Sequence, residues 1–207
     1  VILNTQASKT MINTLFRNVC LILSISTLCL AISGCATILS ATTGPEQIDE
    51  TQGTRTWGAL IEDESIETKV LANLYNLDKG YKEGRISVIS YNGIVLLVGQ
   101  LKSQELLENA SNIAKKVRAV RKVHNELTIA GPLSYMAGSN DSWLTTKIKS
   151  QMLATKSFPS NRAKVITENG TVYLMGLLTR QETDDAVAIA RRIYGVQKIV
   201  KIVEYID

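Results

Sequence analysis

Apolar and polar positions in this chain follow one order, used twice. From residue 63, Ile66, Val70 and Leu74 recur every fourth position, the period of a half-buried helix, with Asp63 or Ser65 available as its cap. Two β-rich runs follow, Arg85–Tyr91 and Ile94–Leu101, separated by Asn92-Gly93. An Asn-Gly pair between such runs predicts a type I′ hairpin, because that turn needs positive φ at both central residues. Gly99 sits where a side chain is expected to obstruct the neighbouring strand. Ser103 then caps a second helix with Leu106, Ala110, Ile113, Ala114 and Val117 facing inward, and a strand over Lys122–Ile129 ends at Gly131-Pro132.

The same order returns. Leu144, Ile148 and Met152 copy the first stripe in a helix over 141–155, followed by strands Ala163–Glu168 and Thr171–Leu178 around Asn169-Gly170. A helix over 180–194 and a strand over 197–206 complete it. The stretch from Tyr91 to Leu101 matches that from Glu168 to Leu178, and Asn112-Ile-Ala-Lys-Lys-Val117 matches Ala188-Ile-Ala-Arg-Arg-Ile193. Self-similarity at a fixed offset marks a tandem repeat. The fold class is therefore α+β, with αββαβ modules at 63–130 and 141–207 joined by a linker at 131–140. Each module is expected to pack a small three-stranded mixed sheet against two helices.

The first 62 residues have another character. Residues 19–33 are nearly continuous in apolar and small side chains, with Arg17 just before them. That run is shorter than the roughly 20 residues of a spanning helix and has the layout of a signal peptide, 1–34, for which Met11 is a candidate start. Ile32-Ser33-Gly34-Cys35 resembles the lipobox of bacterial lipoproteins, which implies acylation of Cys35. Ala36 lacks the aspartate that favours inner-membrane retention in diderm lipoproteins, which implies export to the outer membrane. Residues 35–62, polar at first and carrying Pro45, read as a lipidated cysteine followed by a flexible tether.

Composition narrows the chemistry. All three cysteines lie within the first 35 residues, so no disulfide framework is expected in the modules. The single histidine, His124, argues against a histidine-rich metal site, and no nucleophile–base set or phosphate loop is visible. A non-catalytic protein without cofactor or metal is expected. The net charge of +4 drops to +2 without residues 1–34, and aromatics are 5%, which argues against nucleic acid as a partner.

The αββαβ order, the N-G-x-V-x-L-x-G pattern and the I-A-[KR]-[KR]-[VI] helix resemble BON domains. Two of them behind a lipobox are similar to the dual BON-domain outer-membrane lipoproteins of Gram-negative bacteria, over residues 35–207. Ala119 departs from the pattern, because the family has the glycine seen at Gly195, and a shifted turn is expected there.

One helix carries a signal of its own. On a helical wheel Trp143 and Leu153 fall about 140° from the centre of the core stripe, with Thr146 and Ser150 between them and Lys147 at the border. Tryptophan with lysine on an outward face is the composition of an interfacial helix. The resemblance implies anionic phospholipid, of the phosphatidylglycerol kind, as the partner of the second module's first helix, and a role in envelope integrity. The candidate set is Trp143, Leu144, Thr146, Lys147, Lys149, Ser150 and Leu153. The first module has Ser65 in place of Trp143, with Glu64 and Glu67 nearby, and is expected to be repelled. The competing expectation is a protein-interaction adaptor, for example for outer-membrane β-barrel assembly machinery. A role in binding soluble ligand or peptidoglycan ranks below both, since no aromatic-lined cleft is evident.

Overall fold

The computed structural model describes residues 53–129 and 135–207, with side chains from 140 onward in the second part. The expected signal peptide, Cys35 and most of the tether lie outside the described residues, as does the linker up to residue 134. Thr51–Asp207 forms one compact unit that contains every core described below.

Module one runs α1 (Trp57–Leu77), α2 (Gly80–Glu83), β1 (Arg85–Tyr91), β2 (Ile94–Leu101), α3 (Gln104–Lys115) and β3 (Lys122–Ile129). Module two runs α4 (Tyr135–Ala154), a 3-10 turn (Ser160–Arg162), β4 (Ala163–Glu168), β5 (Thr171–Leu178), α5 (Arg180–Arg191) and β6 (Lys198–Tyr205). In each sheet the hairpin strands pair antiparallel and the third strand joins the central one in parallel. This is the expected mixed sheet.

The hairpin turns are as the Asn-Gly pairs require. Asn92 and Gly93 have φ of 52° and 74°, and Asn169 and Gly170 have 49° and 70°. Gly99 and Gly176 allow close backbone approach: a Cβ at Gly99 would fall on the Arg85 carbonyl, and one at Gly176 would lie 2.5 Å from the Arg162 carbonyl oxygen.

The helix starts differ from expectation. Helix α1 begins at Trp57, capped by the Thr56 hydroxyl, which accepts from the Ala59 amide. Asp63 is not a cap. It lies inside the helix, is buried, and turns its carboxylate onto the hairpin. Its Oδ1 accepts from the Gly93 amide at 2.9 Å and the Ser90 hydroxyl at 2.7 Å, and its Oδ2 from the Asn92 amide and Arg55 at 2.8 Å each. Asp141 does the same in module two, accepting from Asn169 at 2.7 Å and Gly170 at 2.9 Å. Helix α4 accordingly starts within the expected linker.

Alternation along the strands sorts three cores. Ile86, Val88, Val95, Leu97 and Leu101 face α1 and α3, while Val165, Val172 and Leu174 face α4 and α5. The opposite faces of the two sheets meet each other through Ile89, Tyr91, Leu96 and Val98 against Tyr173, Met175 and Ile202. The result is a helix–sheet–sheet–helix sandwich. Polar pairs pin its rim: Arg121 meets Glu204 in two bonds of 3.0 and 2.6 Å, Lys164 meets Glu67 at 2.9 Å, and the Tyr91 hydroxyl donates to the Arg162 carbonyl at 2.7 Å.

The turn at Ala119 is not shifted. Ala119 adopts φ 69° where Gly195 has 101°, so the alanine accepts a left-handed conformation that glycine takes freely. Ala119→Gly should raise stability by about 0.5–1 kcal/mol in urea unfolding. An unchanged or lower midpoint would show that the Ala119 methyl packs to more effect than its backbone strains.

Burial alone would raise the Asp63 pKa, but hydrogen bonds from Gly93, Ser90, Asn92 and Arg55 more than offset it, so the carboxyl titrates below the ordinary 3.8. Its contribution is complete above the unfolded value and drains as pH falls through the folded one. Asp63→Asn should cost about 1–3 kcal/mol, because one amide oxygen cannot serve four donors. That loss should be largest at neutral pH and shrink on acidification, as read from urea midpoints across a pH series.

Candidate functional site

The clamp at Asp141 sets the rotation of α4, and the helical period then decides which side chains reach solvent. Ile148 and Met152 enter the core beneath, and Thr145 bonds to Thr167 at 2.8 Å. Trp143 and Leu153 emerge on the far side, 52% and 75% exposed. Leu144 does not belong with them. It is fully buried and packs against Gly195, so it holds the helix down and cannot meet a ligand.

The remaining candidates make a face with little free polarity apart from its cations. The Thr146 hydroxyl donates to the Ser142 carbonyl and the Ser150 hydroxyl to the Thr146 carbonyl, both at 2.9 Å. These side chains satisfy themselves within the helix and present carbon outward. The Lys147 ammonium lies 6.0 Å from the centre of the Trp143 ring. Lys149 and Leu153 border a shallow groove of about 310 Å3 floored by Met152, Ala163 and Val165. From residue 140 onward, the acid of this helix is Asp141, which is buried and occupied by the turn amides.

Helix α1 presents a different surface. Ser65 occupies the position of Trp143, as expected, and Glu62 and Glu64 are exposed. Trp57 and Ile61, which fall in the expected tether, are 83% and 69% exposed on the first turns. Their four-residue spacing behind the Thr56 cap was the available signal. Because α1 and α4 cover opposite sides of the paired sheets, their outward faces point away from each other.

Other chemistry finds little support. Among the described residues no group of three or more His, Cys, Asp or Glu converges on a metal position, and no helix is long and apolar enough to cross a membrane. His124 is half-buried, with its pKa lowered by burial and by Lys122. Glu168 is buried between the modules beside Arg85 at 3.3 Å, and burial raises its pKa.

Comparison with known proteins agrees with this architecture. The BON domain model matches residues 62–131 and 140–207. Outer membrane lipoprotein DolP of Haemophilus influenzae is 42% identical over 154 residues, which cover 74% of this chain and 79% of that protein. The 21 kDa hemolysin of Actinobacillus pleuropneumoniae is 38% identical, with 74% and 79% covered. Osmotically-inducible protein Y of Escherichia coli is 34% identical, with 69% and 72% covered. With both modules matched and this identity across most of its length, the chain belongs to the BON domain family, as a two-module outer-membrane lipoprotein of the DolP type.

Proposed function

We propose that this lipoprotein is non-catalytic, faces the periplasm, and binds anionic phospholipid through the outward face of α4 in support of envelope integrity. The observation that carries this reading is the pairing of Trp143 and Leu153 with Lys147 and Lys149 on a face whose hydroxyls are internally bonded. Burying one large apolar side chain contributes roughly 1.5–3 kcal/mol, and a basic residue near an anionic surface about 1 kcal/mol. Together these support weak docking that becomes effective once a lipid anchor concentrates the module at the bilayer. The opposed directions of α1 and α4 mean that a flat bilayer meets one of these faces at a time. The cations favour α4.

A second reading, an adaptor for outer-membrane assembly machinery, draws on Trp57 and Ile61, which stay exposed on the opposite layer. Phosphatidylglycerol vesicles with no protein partner separate the two readings.

For residues 36–207, Trp143→Glu and Leu153→Glu should each abolish sedimentation with phosphatidylglycerol vesicles while leaving the urea midpoint unchanged. Ser65→Glu and Trp57→Glu should have no effect on sedimentation. Rising salt should weaken binding without eliminating it, because only part of the attraction is ionic. Loss of folding in Trp143→Glu would make Trp143 a packing residue and remove the basis of the proposal.

Anchoring by Cys35 is a separate expectation. Stable attachment needs more than one acyl chain, each buried CH2 contributing about 0.8 kcal/mol. Cys35→Ser should leave the outer-membrane fraction and keep its leader. Normal processing and retention of that variant would refute it.

A further inference from the structure

Helix α5 and strand β6 leave a groove of about 320 Å3 between them, floored by Val187, Val196 and Ile199 and flanked by Arg191, Lys198 and Lys201. No carboxylate lines it. Among the described residues strand β6 is an edge, bonded to β5 on one side, so alternate backbone amides and carbonyls along its other side are available to a further strand.

Module one closes the corresponding place. Asn125 aligns with Leu97 on β2 as Lys201 aligns with Leu174 on β5. The Asn125 amide donates to the Leu107 carbonyl and the Ser111 hydroxyl, both at 2.8 Å, and so stitches β3 to α3. Module two has Lys201 for Asn125 and Val187 for Ser111, so this stitch cannot form and the groove is open, apolar at its base and cationic at its rim.

We propose that this groove receives an acidic, extended segment of a partner protein, added as a strand along β6. Side chains alternate along a strand, so carboxylates on the helix-facing side would meet Arg191 and Lys201 with their methylene stems over Val187 and Ile199, and the apolar residues between them would lie on the seam face beside Val200 and Ile202. Strand addition gains affinity from main-chain hydrogen bonds and specificity from the alternating side chains. A lipid headgroup would answer the positive charge but leave the strand edge unused, which is why the observations favour a peptide. The site is independent of the α4 face, whose outward residues it does not share.

The test titrates the full chain into a fluorescein-labelled synthetic peptide of alternating glutamate and valine, as long as β6. Saturable binding is expected, with slowed hydrogen exchange at β6 amides and no binding of an alternating lysine–valine peptide. Lys201→Glu should weaken binding roughly tenfold or more, as like charges face each other, and Lys201→Asn, which copies module one, should weaken it in the same direction. Both substitutions fall on an exposed position and should keep the parent's urea midpoint. Equal peptide affinity in the parent and Lys201→Glu, or binding without slowed exchange along β6, would overturn the proposal. So would a Lys201→Glu chain that loses phosphatidylglycerol vesicles and keeps the peptide, since the groove would then serve a headgroup.

Discussion

Each module depends on one carboxylate. Asp63 and Asp141 lie inside their helices yet bond to the paired amides of the Asn-Gly turns, so one carboxylate fixes the helix to the hairpin. A type I′ turn leaves adjacent amides pointing the same way, and a two-oxygen acceptor fits them. With the rotation of the helix set at that point, every later turn has its inward and outward residues decided. Trp143 faces outward because it follows the clamp by two positions.

The second constraint is that neither sheet has a wet face. Helices cover one side and the other sheet covers the opposite side. Both central strands therefore run apolar without alternation, Ile94 to Val98 and Val172 to Met175. Apart from the buried Asp63, Asp141 and Glu168, charge sits at the rim, where Arg121 holds the Glu204 carboxyl below its ordinary range and Lys164 reaches Glu67 across the seam. The outward helix faces are thereby left to the two outer layers.

Much of this was legible in the residues, and what was missed was non-local. Asn-Gly dictates its own φ angles, so the hairpins and the repeat followed directly. The exposure of Trp143 and Leu153 followed from the helical period, whereas Leu144 was grouped with them against that same period. Asp63 resembles a cap because an aspartate before an apolar stripe commonly is one, and Asp141 stands only as the first residue of the expected helix. Their distant partners, Asn92 and Asn169, reveal the other role. Trp57 and Ile61 fall in the expected tether, because the helix extends past the clamp toward the N-terminus. At Ala119 the pattern shifted the turn, yet packing held the alanine in its left-handed place. Whether Asn125 or Lys201 closes the space beside a helix depends on what that helix offers, which a strand's own sequence does not state.

The seam between the sheets has a consequence for biogenesis. Synthesis from the N-terminus completes module one while Tyr173, Met175 and Ile202 have yet to be added. Until they arrive, Ile89, Leu96 and Val98 form a greasy, strand-lined surface, the kind that invites mispairing. The half-made chain thus carries an uncovered apolar sheet face, and the interval closes when the second repeat docks. Once complete, the repeat gives each sheet a permanent companion built on its own pattern.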